Sequence, residues 1–333
     1  MTHPTINTDK LSAKFREMAI DTDRKALLMT RFTGTKQESD FSVPANCGGF
    51  GRVRHFVRGG GGAWPTNPLP IDPASSKLGL AHGEMLRAQV FQNAVCNWRC
   101  WYCFVPFNLL AGDRRYSDWL TPGQMIDLYL KEADRPQMID LSGGQPDLTP
   151  EWVPWMMEEL VQREMSDAVY LWSDDNLSND YFWRYLTEHE IESIATYRNY
   201  GRVCCFKGFT SESFAFNTAA DGALFHQQFD LFGRLKATGM DLYAYATFTT
   251  PTSENLEDDV RRFVDRLQQI AENLPLRTIP LEIAVFSPVV DRVNDSRRIA
   301  MEYQWRAITT WQEELEKRFS SELRSRPVNE VEL

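Results

Sequence analysis

The stretch that decides the fold is Cys96-Asn-Trp-Arg-Cys100-Trp-Tyr-Cys103, which places three cysteines within eight residues. Thiolates are soft ligands that suit iron–sulfur clusters and zinc. A [4Fe–4S] cluster ordinarily takes four protein thiolates, so three close cysteines without an obvious fourth predict a cube with one open iron. An open coordination position is what a catalytic metal centre needs and a structural site lacks.

Two other uses of these cysteines are open from the residues alone. Zinc would want a fourth Cys or His at a matching spacing, and the sequence has neither a second CxxC pair nor an HxxxH. A disulfide framework fits less well, because six cysteines in 333 residues are sparse and three thiols this close could not all pair with one another. The residues therefore favour an iron–sulfur centre.

The spacing C-x3-C-x2-C, with an aromatic residue just before the third cysteine, resembles the signature of the radical S-adenosylmethionine (radical SAM) enzymes. The resemblance implies that Cys96, Cys100 and Cys103 bind a [4Fe–4S] cluster whose open iron chelates the methionine part of SAM. In that family the cluster donates one electron, the sulfonium bond breaks, and a 5′-deoxyadenosyl radical abstracts hydrogen from the substrate. It also implies that Tyr102 packs against the adenine and that a ferredoxin- or flavodoxin-like protein donates the electron.

A second motif, Gly143-Gly-Gln-Pro146, ends a short predicted strand, 137–142. Glycines let backbone approach a ligand closely and adopt positive φ. The motif is similar to the family's GGEP, which implies that Gly143, Gly144 and Gln145 bind the amino group of SAM. Gln145 stands where the family usually has Glu, and a Gln accepts a hydrogen bond without the charge-assisted part. An ordinary strand–helix turn is the alternative interpretation.

The chain after residue 86 alternates strands with helices, which implies parallel βαβ units in a doubly wound sheet or a barrel. The resemblance favours a partial (β/α)6 TIM-like barrel with an N-terminal loop-rich extension and a C-terminal helix. The predicted strands are 88–95, 137–142, 168–172, 202–206, 241–248 and 281–286. We expect residues 1–85 to form the partly irregular extension, 86–290 the core, and 291–333 a helical segment that covers the barrel or contacts a protein partner.

Within the extension, a helix is predicted from Asp9 to Met29, and residues 41–80 are loop-like because they are rich in Gly and Pro. The run Gly59–Gly62 lacks the Gly-Lys-Ser/Thr ending of a phosphate-binding loop, so it is interpreted as flexible backbone.

Further site residues are expected where later strands end. Ser173, Asp175 and Asn176 follow the third strand, at a position similar to the family segment near the ribose and methionine of the cofactor; a helix cap is an equal alternative. Lys207 begins Lys-Gly-Phe-Thr, which looks like a segment of activase-like relatives and could reach a carboxylate of SAM or substrate. The candidate catalytic residues at the barrel mouth are Lys207, Tyr243, Tyr245 and Glu282, with Thr247 and Ser287 as further lining candidates.

The composition narrows the function classes. A formal net charge of −10 argues against a sequence-independent grip on nucleic acid. No apolar run approaches 18 residues and no signal peptide is evident, so a cytoplasmic protein without a membrane span is expected. The remaining cysteines offer no second cluster, because neighbours such as Cys204 and Cys205 point to opposite faces of a strand.

The predicted function is therefore reductive cleavage of SAM followed by hydrogen abstraction from a small metabolite, sugar or nucleoside. Small molecules are preferred because no cysteine-rich extension follows Cys205, and many peptide-maturing relatives carry one. The alternatives are a protein- or peptide-directed enzyme, such as a glycyl-radical activase or peptide maturase, and a non-catalytic metal-binding module.

Overall fold

The computed structural model describes residues 5–59 and 64–333; Gly60, Gly61 and Gly62 of the glycine run lie outside these residues. The strands are β1 Ile20–Asp21, β2 Ala26–Thr30, β3 Gly51–Val57, β4 Met85–Phe91, β5 Ser117–Leu120, β6 Met138–Leu141, β7 Tyr170–Asp175, β8 Tyr200–Phe206, β9 Leu242–Thr247 and β10 Thr278–Leu281. The α-helices are α1 Thr8–Ala19, α2 Ile71–Leu78, α3 Pro122–Leu130, α4 Trp152–Gln162, α5 Tyr181–Tyr185, α6 Glu188–Thr196, α7 Ser211–Thr218, α8 Leu224–Lys236, α9 Leu256–Ile270, α10 Ser287–Val290, α11 Asp295–Arg318 and α12 Ser321–Arg324.

The main sheet has the order β3-β4-β6-β7-β8-β9-β10. The six strands from β4 to β10 in this sheet are parallel and lie side by side in chain order, whereas β3 pairs antiparallel with β4 at one edge. The sheet curls into a half-barrel, and this confirms the predicted partial (β/α)6 barrel. Its strand–helix loops meet at the carboxyl edge, where α/β barrels place their active sites.

The two faces of the sheet have different partners. Outward residues such as Leu141, Leu171, Cys204 and Phe206 belong to the large core that includes side chains of α3, α4, α8 and α9. Inward residues such as Trp172 and Val203 belong to a second core, to which Ile71 and Ala74 of α2 also belong. Cys205 lies in this inner core, so Cys204 and Cys205 do point to opposite faces, as strand geometry requires.

The N-terminal region is more regular than predicted. The helix α1 ends at Ala19, because Ile20 is extended, and β1 and β2 follow in a three-stranded sheet with β5. The predicted helix Asp9–Met29 is therefore wrong beyond Ala19. The described residues of the stretch 41–80, predicted to be loop-like, contribute β3 and α2, and β3 pairs along the whole of β4.

The sixth parallel strand lies earlier than predicted. The predicted strand 281–286 is wrong, because β10 ends at Leu281 and residues 282–286 are irregular. Gln304 of α11 takes the place of a neighbouring strand: its side chain accepts from the N–H of Ile283 and donates to the same residue's carbonyl. A side chain thus satisfies backbone groups that a ladder would otherwise pair.

The C-terminal helix α11 covers the outer helix layer. Trp311 is buried against Phe248 and Phe263, and Arg306 and Arg318 form ion pairs with Glu257 and Asp265 of α9. In the structure, this segment therefore packs over α9 and the outer helix layer. Among the described residues, no helix is both long and apolar enough to cross a membrane.

Candidate functional site

The three-cysteine loop leaves the carboxyl end of β4 and is held by backbone hydrogen bonds. Cys96 N donates to Leu110 O at 3.1 Å, Trp101 N to Asn217 O at 3.2 Å, and Cys103 N to Cys100 O at 3.0 Å. Cys96 is buried, whereas Cys100 and Cys103 are partly exposed. The loop is therefore fixed in position.

Aromatic and amide side chains brace the same loop from outside. Trp98 Nε1 donates to Thr8 Oγ1 at 3.1 Å and Trp101 Nε1 to Asn217 Oδ1 at 3.0 Å. Asn97 donates to the hydroxyls of Ser12 and Ser178. Two Trp residues inside the motif are thus explained by anchoring to α1 and α7, because a buried indole needs a partner for its N–H.

Two guanidinium groups bring positive charge to the loop. Arg99 donates to the carbonyls of Cys96 at 2.5 Å and Trp98 at 2.8 Å, and Arg292 donates to those of Cys103 at 2.6 Å and Val105 at 3.1 Å. Burial raises the pKa of the Cys100 thiol to about 12, while the Lys207 ammonium opposes that rise. Ligation deprotonates a thiol outright, so cations beside the loop favour a thiolate-bound cluster.

The donor set consists of three thiols on one loop, a type of ligand that suits an iron–sulfur cluster. Within residues 5–59 and 64–333, no three His, Cys, Asp or Glu side chains converge closely enough to hold one metal ion. A cubane presents separate corners, so its ligands need not meet at a point. The residues that would hold a [4Fe–4S] cluster are Cys96, Cys100 and Cys103.

The glycine motif packs directly against the cysteine loop. Gly143 and Gly144 both have positive φ, +78° and +64°, which glycine adopts without strain. A Cβ on Gly144 would lie 2.4 Å from the carbonyl oxygens of Asn93 and Val95. Gln145 N donates to Val95 O at 2.8 Å. The two motifs are therefore joined through the residue that precedes Cys96.

The Gln145 side chain turns towards the end of β7. Its Nε2 donates to Asp175 Oδ1 at 2.8 Å, and its Oε1 accepts from Asn176 N at 3.0 Å. Both polar ends of the amide therefore have protein partners. The resemblance assigns SAM binding to this side chain, but the geometry gives it a bracing role between two strand ends.

A buried ion network continues from Asp175. Arg202 of β8 donates to Asp175 Oδ2 at 2.9 Å and forms an ion pair with Asp147. Burial raises the pKa of Asp147 to about 7 against the influence of Arg202. Although burial works against its charge, Asp147 and Asp175 raise the pKa of Arg202. The network fixes the Asp175 carboxylate, which in turn fixes Gln145.

The predicted ribose segment divides between the two faces of β7. Ser173 lies on the outer face and shares a 2.7 Å hydrogen bond with the Tyr200 hydroxyl, and Asp175 points the same way. Asn176 donates to Asn97 Oδ1 at 3.1 Å, inside the cysteine motif. Asp174, which the sequence did not single out, faces inward and accepts from Ser142 at 2.6 Å.

The side chains predicted near the cofactor adenine and a carboxylate lie close together. The Tyr102 hydroxyl is 3.0 Å from Thr247 Oγ1 at the end of β9, and its ring packs with Trp101, Ile283 and Val289. Lys207 directly follows β8. Burial disfavours its charge, but Cys205, Tyr102 and Cys100 raise its pKa.

Other candidates for the barrel mouth lie elsewhere. Tyr243 is buried between Trp172 and Arg277 and donates to Asp241, at the amino end of β9. The Tyr245 hydroxyl is engaged by Asn67 and by the carbonyl of Leu69. Glu282 and Ser287 are exposed. Tyr243 is the second residue of β9 and so lies near the amino end of its strand, whereas the cysteine loop follows the carboxyl end of β4.

Sequence analysis missed the charged residues that line the inner face. Arg52 and Arg54 of β3 face Asp140 of β6 and Asp174 across the sheet interior. The alternation in Gly51–Val57 was a usable signal, but arginines at alternate positions of a strand ordinarily indicate the solvent side.

Comparison with known proteins gave structural neighbours only, since no family model and no curated protein sequence matches the chain. Streptococcus suis SuiB bound to S-adenosylmethionine is 14% identical with a TM-score of 0.42, and the match covers 65% of this chain and 46% of that one. The anSMEcpe structure with bound AdoMet and the Cp18Cys peptide is 12% identical with a TM-score of 0.39, covering 58% and 49%. Streptococcus suis SuiB bound to the precursor peptide SuiA is 14% identical with a TM-score of 0.38, and the match covers 54% of this chain and 36% of that one. Each match spans less than half of the neighbour's own chain.

Proposed function

We propose that the chain is a radical SAM enzyme in which Cys96, Cys100 and Cys103 hold a [4Fe–4S] cluster. The observation that carries the proposal is the junction of the two motifs at one carboxyl edge. Gly143–Gln145 is distant in sequence from the cysteines, yet Gln145 N bonds to Val95 O at 2.8 Å and Gly144 packs on the same backbone. A zinc-binding or other non-catalytic module has no need of a glycine turn seated beside an open metal position.

The chain's own residues would bind and orient SAM and shield the reacting groups from water. When bound, the cluster and SAM supply the electron and the carbon radical that abstracts hydrogen. Gly143 and Gly144 would offer backbone to the methionine group, with Gln145 holding their turn in place. Tyr102 and Thr247 would close one side, and Lys207 would pair with a carboxylate. Buried walls keep water from the reactive species.

We propose a small-molecule substrate, because the inner face beneath the cysteine loop is lined by charged side chains, Arg52, Arg54, Asp140 and Asp174. A peptide- or protein-directed enzyme is the alternative. An electron donor of the ferredoxin or flavodoxin type is proposed as the protein partner.

The test is anaerobic reconstitution with iron and sulfide, reduction by dithionite and addition of SAM. We expect 5′-deoxyadenosine and methionine to form, and a Cys100→Ser variant to form neither. The matched control is Cys204→Ser, which removes a buried thiol on the outer face and should retain cleavage. A fully loaded wild-type protein that never cleaves SAM, with or without candidate substrates, would reject the function.

A further inference from the structure

Two charged side chains on the inner face lie under the cysteine loop. Arg52 pairs in register with Val90, and Val90 with Asp140, so all three share one face of neighbouring strands. Phe104, which follows Cys103, lies over the arginines: its ring centroid is 5.1 Å from Arg52 Cζ and 6.0 Å from Arg54 Cζ. Arg52 and Asp140 therefore belong to the space next to the metal-binding loop.

These two side chains have charged atoms without hydrogen-bond partners among the described residues. Among the described residues, no hydrogen bond reaches either carboxylate oxygen of Asp140, and none is donated by Nε or Nη2 of Arg52. The Asp140 side chain is fully buried, and its ion-pair contact with Arg54 Nη1 is long, at 3.9 Å. Burial and the neighbouring Asp174 raise the pKa of Asp140, and burial and Arg54 lower that of Arg52 to about 10. Buried charges without hydrogen bonds are costly, so a complementary partner would stabilise both.

The free atoms define the chemistry of that partner. The Nε–Nη2 edge of a guanidinium donates two parallel hydrogen bonds, which match a carboxylate. The two Asp140 oxygens accept, which suits an ammonium. Nearby groups are already engaged: Asp174 accepts from Ser142, and the Tyr245 hydroxyl bonds to Asn67 and Leu69. Within the described part of the chain, Arg52 therefore lacks a hydrogen-bond acceptor for Nε and Nη2, and Asp140 lacks a hydrogen-bond donor, since Arg54 stays 3.9 Å away.

We propose that Arg52 and Asp140 bind the carboxylate and the ammonium of a free amino acid or a small derivative that keeps both groups. A phosphate would satisfy Arg52 but brings no donor to Asp140 and repels its carboxylate. A neutral sugar would leave the guanidinium charge uncompensated. A residue inside a peptide has neither a free α-carboxylate nor a free α-ammonium, because both groups are in peptide bonds. This inference rests on the proposed function, because it names the substrate class of that same site.

The methionine part of SAM carries the same two groups, so the experiment must separate two sources of one chemistry. Cluster-loaded protein saturated with SAM is tested anaerobically by thermal shift with each common L-amino acid at millimolar concentration. We expect at least one amino acid to raise the melting temperature. Its N-acetyl and methyl-ester forms, which lack the ammonium and the carboxylate respectively, should give no shift.

Variants then assign the binding to the named residues. Arg52→Met and Asp140→Asn should each weaken the affinity for that amino acid by about tenfold or more, while the affinity for SAM stays within about twofold. Asp140→Asn removes a buried carboxylate, so the unliganded variant should melt at or above the wild-type temperature, which shows that it folds. Arg87→Met, which breaks a surface ion pair with Asp134, is the matched control and should change neither affinity.

Two results would overturn the proposal. One is the absence of a shift with every amino acid, in which case ordered water satisfies the two side chains. The other is an equal loss of SAM affinity in both variants, which would assign the pair to the cofactor. Failure of the proposed function is distinct: amino-acid binding would persist in a protein that does not cleave SAM.

Discussion

Gln145→Glu tests why this chain carries Gln where relatives of the proposed family carry Glu. The Gln145 amide donates to Asp175 Oδ1 at 2.8 Å and accepts from Asn176 N at 3.0 Å. A carboxyl group at the same place can still accept from Asn176, but it has no proton to donate at neutral pH. It would then bring a second negative charge to hydrogen-bond distance of Asp175.

The expected cost follows from two effects. Losing a hydrogen bond to a charged group costs about 1.5–3 kcal/mol. Two like charges about 4 Å apart repel by about 4 kcal/mol at an effective dielectric constant of 20, although Arg202 offsets part of this. Protonation limits the total: keeping a carboxyl of ordinary pKa about 4.3 neutral costs roughly 4 kcal/mol at pH 7.5 and about 1.6 kcal/mol at pH 5.5. We expect destabilisation of about 2–4 kcal/mol at pH 7.5 and clearly less at pH 5.5.

The sign of the pH dependence follows from proton binding. The new carboxyl has a higher pKa in the folded state than in the unfolded state, so the folded state binds more protons between the two values. The unfolding free energy of the variant, relative to wild type, therefore falls as the pH rises above about 4.

The assay is urea unfolding of wild type, Gln145→Glu and Gln145→Met at both pH values. The methionine variant loses the same hydrogen bonds without adding charge, so its cost should be nearly independent of pH. If Gln145→Glu is as stable as wild type at pH 7.5, or if its deficit does not shrink at pH 5.5, the proposed contact with Asp175 is wrong.

Three further predictions follow from the same site. Gln145→Ala should weaken SAM binding only modestly, by about tenfold at most, because both of its side-chain hydrogen bonds go to protein groups; complete loss in a folded, cluster-loaded variant would contradict this. Burial raises the pKa of Asp147 to about 7, so below that pH the folded state binds a proton that the unfolded state has lost. The unfolding free energy of wild type relative to Asp147→Asn should therefore fall as the pH rises from about 4 to 7 and then level off. A difference that does not change with pH in urea titrations would refute this prediction. Reconstituted protein should bind about four irons per chain. This iron content should not change when the three cysteines outside the loop are replaced by Ser, and the cluster absorption should disappear when the three cysteines of the loop are replaced by Ala. About eight irons per chain would disprove a single cluster.

Local signals in the sequence predict the alternation of parallel strands with helices, and the family resemblance favours a barrel over a doubly wound sheet. Apolar alternation marks the parallel strands, and the Thr121-Pro122-Gly-Gln124 start of α3 forms the capping box that its residues indicate, with Gln124 N donating to Thr121 Oγ1 at 3.2 Å. The opposite orientation of Cys204 and Cys205 follows from the two-residue period of a strand. Such features need no knowledge of distant contacts.

The remainder depends on contacts that no window of sequence contains. Arg52 and Arg54 look like solvent-facing residues until β3 pairs with β4 and turns them to the interior. Asp174 and Asp175 are neighbours in the same motif, and only the register of β7 decides which one faces the lumen, since a shift of one residue exchanges the two faces. Gln145 similarly appears to be a ligand until its hydrogen bonds to Asp175 and Asn176 are seen.

The alternation along β7 separates two kinds of residue at the candidate site. Ser173 and Asp175 point outward, where Tyr200, Arg202 and Gln145 fix their positions, and substitutions there should lower stability first. Asp174 points inward, as does Asp140 on β6, but of these two only Asp140 lacks a hydrogen bond among the described residues, and a buried charge without a hydrogen bond lowers stability. Asp140→Asn should therefore preserve or raise stability while weakening binding of the proposed ligand. Because stability and ligand binding should change in opposite directions, both the unfolding free energy and the ligand affinity should be measured in every variant of this face.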